Sequence, residues 1–129
     1  MRIIFPYIRK GTQWYPAIDI TLRGGKDEIT IKALIDSGAS FSIFRPEIAG
    51  EIGREVEKGK AIYLEGIGGR ILGYLHRVPV VVDKQSFICK LIFSREFNVS
   101  FNLLGRDNFF SKFKITFDEK GKKIILEKP

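Results

Sequence analysis

Apolar and polar positions alternate along most of the chain, and the breaks in that alternation divide it into hairpins. Trp14 to Arg23 alternates, Gly24-Gly25-Lys26-Asp27 interrupts, and Glu28 to Ile35 resumes the pattern. This predicts a hairpin whose second strand delivers Asp36 onto Ser37-Gly38, residues suited to a tight turn. Phe41 to Phe44 is apolar again. Arg45 to Gly53 reads as one or two helical turns, with Pro46 early and Gly53 as the stop. Ala61–Leu64 and Ile71–Leu75 flank Glu65-Gly66-Ile67-Gly68-Gly69-Arg70, predicting a hairpin with a mobile, glycine-dominated tip. A third pair, Val78–Val82 and Phe87–Phe93, is joined by Asp83-Lys84-Gln85-Ser86, and Pro79 must stand where the ladder needs no donor. Leu103-Leu104 runs into Gly105, after which Arg106-Asp107 opens a short helix through Phe109–Phe113 with Asp107 as its N-cap. Phe113–Phe117 and Lys122–Leu126, around Asp118-Glu119-Lys120-Gly121, close the chain with a further hairpin. The expected class is all-β with one or two short helices.

Composition narrows the possibilities. A chain of 129 residues, 44% hydrophobic and 29% charged, suits one globular domain over residues 1–129. No apolar run approaches the roughly 20 residues that span a bilayer, and Ile3-Ile4-Phe5 before Pro6 is too short for a signal peptide. A cytoplasmic protein without membrane partners is therefore expected. Cys89 is the only cysteine and His76 the only histidine. An intramolecular disulfide is thus excluded, the pair falls short of the ligands zinc requires, and no metal or cofactor is expected. Cys89, between Ile88 and Leu91, reads as a buried small hydrophobe.

The formal net charge of +7 raises nucleic acid as a partner. Its distribution argues against one. Lys112 to Lys128 holds six lysines, but Asp118, Glu119 and Glu127 and the alternating apolar residues make it read as a solvated sheet face. The glycines at 66, 68, 69 and 73 fail as a phosphate loop: a dinucleotide motif needs glycine where Ile71 stands, and Tyr74 stands where a Walker loop needs lysine. No serine lies in a nucleophile-elbow pattern that would join His76 and Asp36 in a triad. Asp36 has two readings from these residues alone: a side chain that bonds the backbone two residues on, or a catalytic carboxylate aimed by a strand end.

Four stretches resemble the retropepsin-like aspartic proteases, single-domain relatives of pepsin. Leu34-Ile35-Asp36-Ser37-Gly38-Ala39 resembles the active-site signature, and Gly66-Ile67-Gly68-Gly69 the tip of the flap. Leu103-Leu104-Gly105-Arg106-Asp107 is similar to the second signature, and Phe113 to Leu126, with Phe117-Asp118 before its turn, to the closing strands. The resemblance covers most of residues 15 to 127 and implies a closed β-barrel with a hairpin flap. It implies Asp36 as the catalytic residue, with Ser37, Gly38 and Ala39 supporting its turn. Gly66, Ile67, Gly68, Gly69 and Arg70 would close over an extended peptide or protein substrate, and Leu103, Leu104, Gly105 and Arg106 form the second signature.

Peptide hydrolysis by this route takes two carboxylates sharing one proton. Asp19, Asp27, Asp83, Asp107 and Asp118 are each followed by other residues than Ser/Thr-Gly. The second carboxylate is thus expected from Asp36 of an identical chain, in a homodimer with activity peaking at mildly acidic pH. The sequence departs from the retroviral pattern at Ser40, where those enzymes carry an acid that pairs with the signature arginine; Arg106 lacks that partner. Lys122–Leu126 is the terminal segment that stands out as a candidate for the dimer sheet. The competing expectations are a peptide-binding scaffold that keeps the fold without catalysis, and a basic β-barrel that binds nucleic acid.

Overall fold

The computed structural model describes every residue except Ile67. In chain order the described strands are β1 (Arg2–Pro6), β2 (Ile8–Lys10), β3 (Gln13–Tyr15), β4 (Ala17–Gly24), β5 (Asp27–Ile35) and β6 (Ser42–Phe44). The helix α1 (Pro46–Glu51) and a single 3-10 turn (Val56–Lys58) follow, then β7 (Lys60–Gly66), β8 (Gly69–Val82), β9 (Gln85–Phe93) and β10 (Asn102–Leu104). A wide helical turn (Arg106–Phe110), β11 (Lys114–Asp118) and β12 (Lys123–Glu127) complete the chain.

Strands β4 and β5 show how alternation becomes structure. Ile18, Ile20 and Leu22 are fully buried on one face, while the opposite face is built from matched polar pairs. Asp19 faces Lys32, with Nζ to Oδ1 at 2.7 Å; Thr21 and Thr30 share a hydroxyl bond of 2.7 Å; Arg23 meets Glu28 at 3.3 Å. Such cross-strand pairs fix register, because a slip of one residue would turn the isoleucines out to water. The turn lies at Gly25-Lys26, where Gly25 has φ +79°.

A seven-stranded sheet runs in the order β4-β5-β10-β6-β9-β8-β7, and β4 also pairs β8 through Thr21–Val81 and Leu22–Val80. The sheet therefore curls back on itself over two residue pairs, which is less than the fully closed barrel the sequence led us to expect; the all-β class stands. Short β10 is inserted between the two halves, parallel to β5 and antiparallel to β6. Its Leu104 is fully buried and its Asn102 accepts the Arg45 N–H at 2.9 Å, at the start of α1. The helix begins with Pro46, buries Ile48 and Ala49, and gives way to Gly53 at φ +75°.

Strand β8 departs from the expectation of two segments, Ile71–Leu75 and Val78–Val82. It is one strand of 14 residues. His76 does not break it, because its ring nitrogen meets the Val56 carbonyl at 2.9 Å and its edge packs on Phe93, so the histidine is buried without an unsatisfied polar group. Pro79 sits opposite Ile88, whose carbonyl turns away from β8 to accept a 3.0 Å bond from the Asn108 amide; the ladder needs no donor there.

Arg2–Pro6, within the N-terminal stretch read above only as too short for a leader, forms β1. It pairs antiparallel with β12, which also pairs β11, giving a separate three-stranded sheet of order β1-β12-β11. Both ends of the chain thus enter one sheet, where Lys122–Leu126 alone had stood out. Ile124 and Leu126 carry this sheet into the core beside Phe109 and Phe113. Phe87, Phe109 and Phe113 pack with ring centres 5.4–6.2 Å apart. Burying each such side chain contributes roughly 1.5–3 kcal/mol.

Candidate active site

Ile35, at the end of β5, is 2% exposed. The next residue, Asp36, emerges from the sheet half-buried and is fixed at three points. Its N–H donates to the Leu104 carbonyl at 3.0 Å, its carbonyl accepts from Ala39 N–H at 3.2 Å, and its Oδ1 accepts from Gly38 N–H at 2.9 Å. The last is the local turn bond that sequence offered as an alternative to catalysis. The two roles are compatible: the bond aims the carboxylate and engages one oxygen. Gly38 suits the arrangement, since an added Cβ would stand 3.2 Å from Oδ1. Ser37 is exposed at the apex.

The second signature forms the opposite wall. Gly105 passes directly against the backbone of residues 39–41, and an added Cβ would land on the Phe41 carbonyl. Only glycine fits. Its N–H donates to Ser42 Oγ at 3.0 Å, Arg106 N–H to the Ala39 carbonyl at 2.8 Å, and Asp107 N–H to the Ser40 carbonyl at 2.9 Å. Residues 36–42 and 104–107 are therefore laced together, and the structure brings Asp36, Ser37, Gly38 and Ala39 into one cluster with Leu103, Leu104, Gly105 and Arg106. Ser42, fully buried, is a supporting residue that sequence reasoning missed; a serine in a short apolar run carries no signal for it.

Asp107 does not cap a helix. Its backbone is extended (φ −94°, ψ 112°), Gly105 occupies the cap position, and the carboxylate instead meets Lys90 Nζ at 3.2 Å. Asn108 next to it acts as a substitute strand: its Oδ1 accepts from Lys90 N–H at 2.9 Å while its amide donates to Ile88. Among the described residues no carboxylate lies within 4.0 Å of the Arg106 guanidinium, and that side chain is exposed. It lines an open cavity of about 590 Å³ with Ser40, Phe41, Asp107, Asn108, Phe110 and Ser111. A slightly larger cavity beside α1, lined by Arg54, Glu57 and Arg95, shares no residue with it.

The β7–β8 hairpin carries Gly66, Gly68, Gly69 and Arg70; Ile67 lies outside the described residues. Gly66 pairs Gly69, which has φ +111°, and the Arg70 guanidinium lies 3.9 Å above the Tyr63 ring. The hairpin is clamped midway along its length at Leu72, which pairs Tyr63: the Leu72 carbonyl accepts from Ser94 Oγ at 2.6 Å and the Leu72 N–H donates to Glu96 Oε2 at 2.9 Å. Among the described residues no hydrogen bond ties the hairpin tip to the Asp36 cluster. Nor, among them, do three or more His, Cys, Asp or Glu side chains gather to hold a metal ion, and no helix is long and apolar enough to cross a membrane.

A curled sheet that sets an aspartate on a Ser-Gly turn, braced by a Leu-Leu-Gly segment from a parallel strand, is the retropepsin-like fold, as the sequence motifs implied. The chain superposes on a retropepsin-like aspartic protease from Rickettsia conorii with a TM-score of 0.66 and 23% identity, over 98% of this chain and 90% of that one. It superposes on EIAV protease, solved with the inhibitor HBY-793, with a TM-score of 0.60 and 14% identity, over 81% and 92% of the two chains. In sequence it is 34% identical over 100 residues to DNA damage-inducible protein 1 of Neurospora crassa, which is 75% of this chain and 22% of that protein. The chain thus spans about a fifth of that relative's length. No protein-family profile matches it.

Proposed function

We propose that the chain is one half of a homodimeric aspartic endopeptidase. The observation that carries this is the Asp36 carboxylate, held at a strand end by the Gly38 N–H at 2.9 Å and by a backbone laced to residues 104–107. Two such carboxylates, one from each protomer across a two-fold axis, share a single proton. The ionised one takes a proton from a bound water as its oxygen attacks the scissile carbonyl carbon. The protonated one gives its proton to the carbonyl oxygen. Collapse of the tetrahedral intermediate breaks the C–N bond as the amine nitrogen takes up a proton from the carboxyl that first accepted one, while a hydroxyl of the intermediate returns its proton to the other carboxylate as the product carboxyl forms, restoring the singly protonated pair. The β7–β8 hairpin serves as the flap, closing over an extended peptide and excluding water. Activity is expected to peak at mildly acidic pH.

The test is Asp36→Asn. The asparagine oxygen can still accept the Gly38 N–H, so the fold and its unfolding midpoint are expected to persist while peptide cleavage disappears. Undiminished cleavage by that variant would overturn the proposal.

A further inference from the structure

Among the described residues, the cavity between Ser40 and Ser111 holds one cation without a partner. Three of the polar side chains that line it have partners: Asp107 is held by Lys90 Nζ at 3.2 Å, Asn108 uses both ends of its amide on Lys90 N–H and the Ile88 carbonyl, and Ser111 Oγ donates to the Asn108 carbonyl at 2.7 Å. Among the described residues the Arg106 guanidinium and the Ser40 hydroxyl have none. Arginine keeps its charge at every working pH and offers a planar fork of donors that matches a carboxylate. Phe41 and Phe110 supply apolar wall beside it, suited to a short methylene stem. The cavity walls are joined to the turn that carries Asp36 through Arg106 N–H to the Ala39 carbonyl and Asp107 N–H to the Ser40 carbonyl.

We propose that Arg106, with Ser40, forms a specificity subsite for an acidic side chain, glutamate or aspartate, a few residues from the scissile bond of the peptide. This rests on the endopeptidase function proposed above. Ser40 is central to it: an acid at that position would neutralise Arg106 within the chain, whereas serine leaves the guanidinium for the substrate and adds a hydroxyl donor.

The experiment is a synthetic peptide library, in which each position on either side of a common cleavable core carries Glu or Gln, treated with the intact protein, Arg106→Ala and Ser40→Asp. At one position the intact protein is expected to prefer Glu over Gln by about tenfold or more in kcat/KM, the scale of one charge-assisted pair. The preference resides in KM and vanishes in both variants; Ser40→Asp, which fills the pocket from within, keeps the result interpretable if Arg106→Ala folds poorly. Equal Glu/Gln ratios in all three proteins would overturn the subsite, as would sedimentation showing that Arg106→Ala dissociates the dimer, which would give the arginine to a protomer contact. If the intact protein cleaves none of the library, the endopeptidase proposal fails separately. Direct binding of the same peptides then decides the subsite: Glu peptides held more tightly through Arg106 support it, and equal affinity contradicts it.

Discussion

Asp36, Gly38, Gly105 and Ser42 show how few atoms define the candidate site. Gly105 is where the second signature meets the first, and its place against Phe41 leaves no room for a methyl group. Gly105→Ala must push the 39–41 backbone away and is expected to cost about 1–3 kcal/mol, read as a lower denaturant midpoint; a midpoint equal to that of the unaltered chain would contradict the packing described. Cys89 illustrates the opposite case, a reactive group made inert. Burial, only partly offset by a bond from Ser42, pushes its thiol from the ordinary 9.0 up to about 12. Because the folded state raises this value, the favourable contribution is fully present below pH 9 and declines as pH rises towards 12. Iodoacetamide at pH 8 is therefore expected to leave the native thiol unmodified and to label it rapidly in denaturant. Fast labelling of the native chain would show that the thiol is accessible.

At the scale of elements, β8 carries most of the consequence. One strand runs from the glycine tip of the hairpin to the core, so the hairpin is an extension of the sheet, anchored at Leu72 by Ser94 and Glu96. Ser94→Ala removes one of these anchors. Amide exchange in Lys60–Leu75 is expected to quicken by about fivefold, the equivalent of one hydrogen bond of about 1 kcal/mol, while the β4–β5 hairpin is unchanged. Exchange that quickens everywhere, or nowhere, would contradict this anchoring. Much of the element order was legible in the sequence because it rests on local chemistry: alternation with Gly25 in the first hairpin, Pro46 and Gly53 around α1, and the Asp118-Glu119-Lys120-Gly121 turn of the last hairpin. What escaped depends on partners far along the chain. Ile71–Leu75 and Val78–Val82 read as parts of separate hairpins because the acceptor that satisfies His76 between them, the Val56 carbonyl, is 20 residues away. Arg2–Pro6 has no alternation to mark it as a strand and becomes one by pairing β12. Asp107 looked like a cap because Lys90, which holds it, lies 17 residues earlier. At the site, Asp36 and the Leu-Leu-Gly-Arg segment were legible as motifs, whereas Ser42, Ser94 and Asn108 act through bonds that only the folded chain reveals.

At the scale of the molecule, one chain supplies one Asp36, and the proposed chemistry takes two carboxylates. The formal charge of +7 on each chain opposes association at low ionic strength, so oligomeric state belongs at about 0.15 M salt, where the Debye length falls to about 8 Å. The central claim is that the working site is made of two chains, and the most direct test is the stoichiometry of a transition-state analogue. A peptide with a hydroxyl-bearing tetrahedral carbon in place of the scissile carbonyl is titrated calorimetrically into the protein at mildly acidic pH, with Asp36→Asn alongside. The result predicted is one analogue bound per two chains, with binding greatly weakened in the variant. One analogue per single chain, or binding indifferent to Asp36→Asn, would contradict a site shared between two protomers.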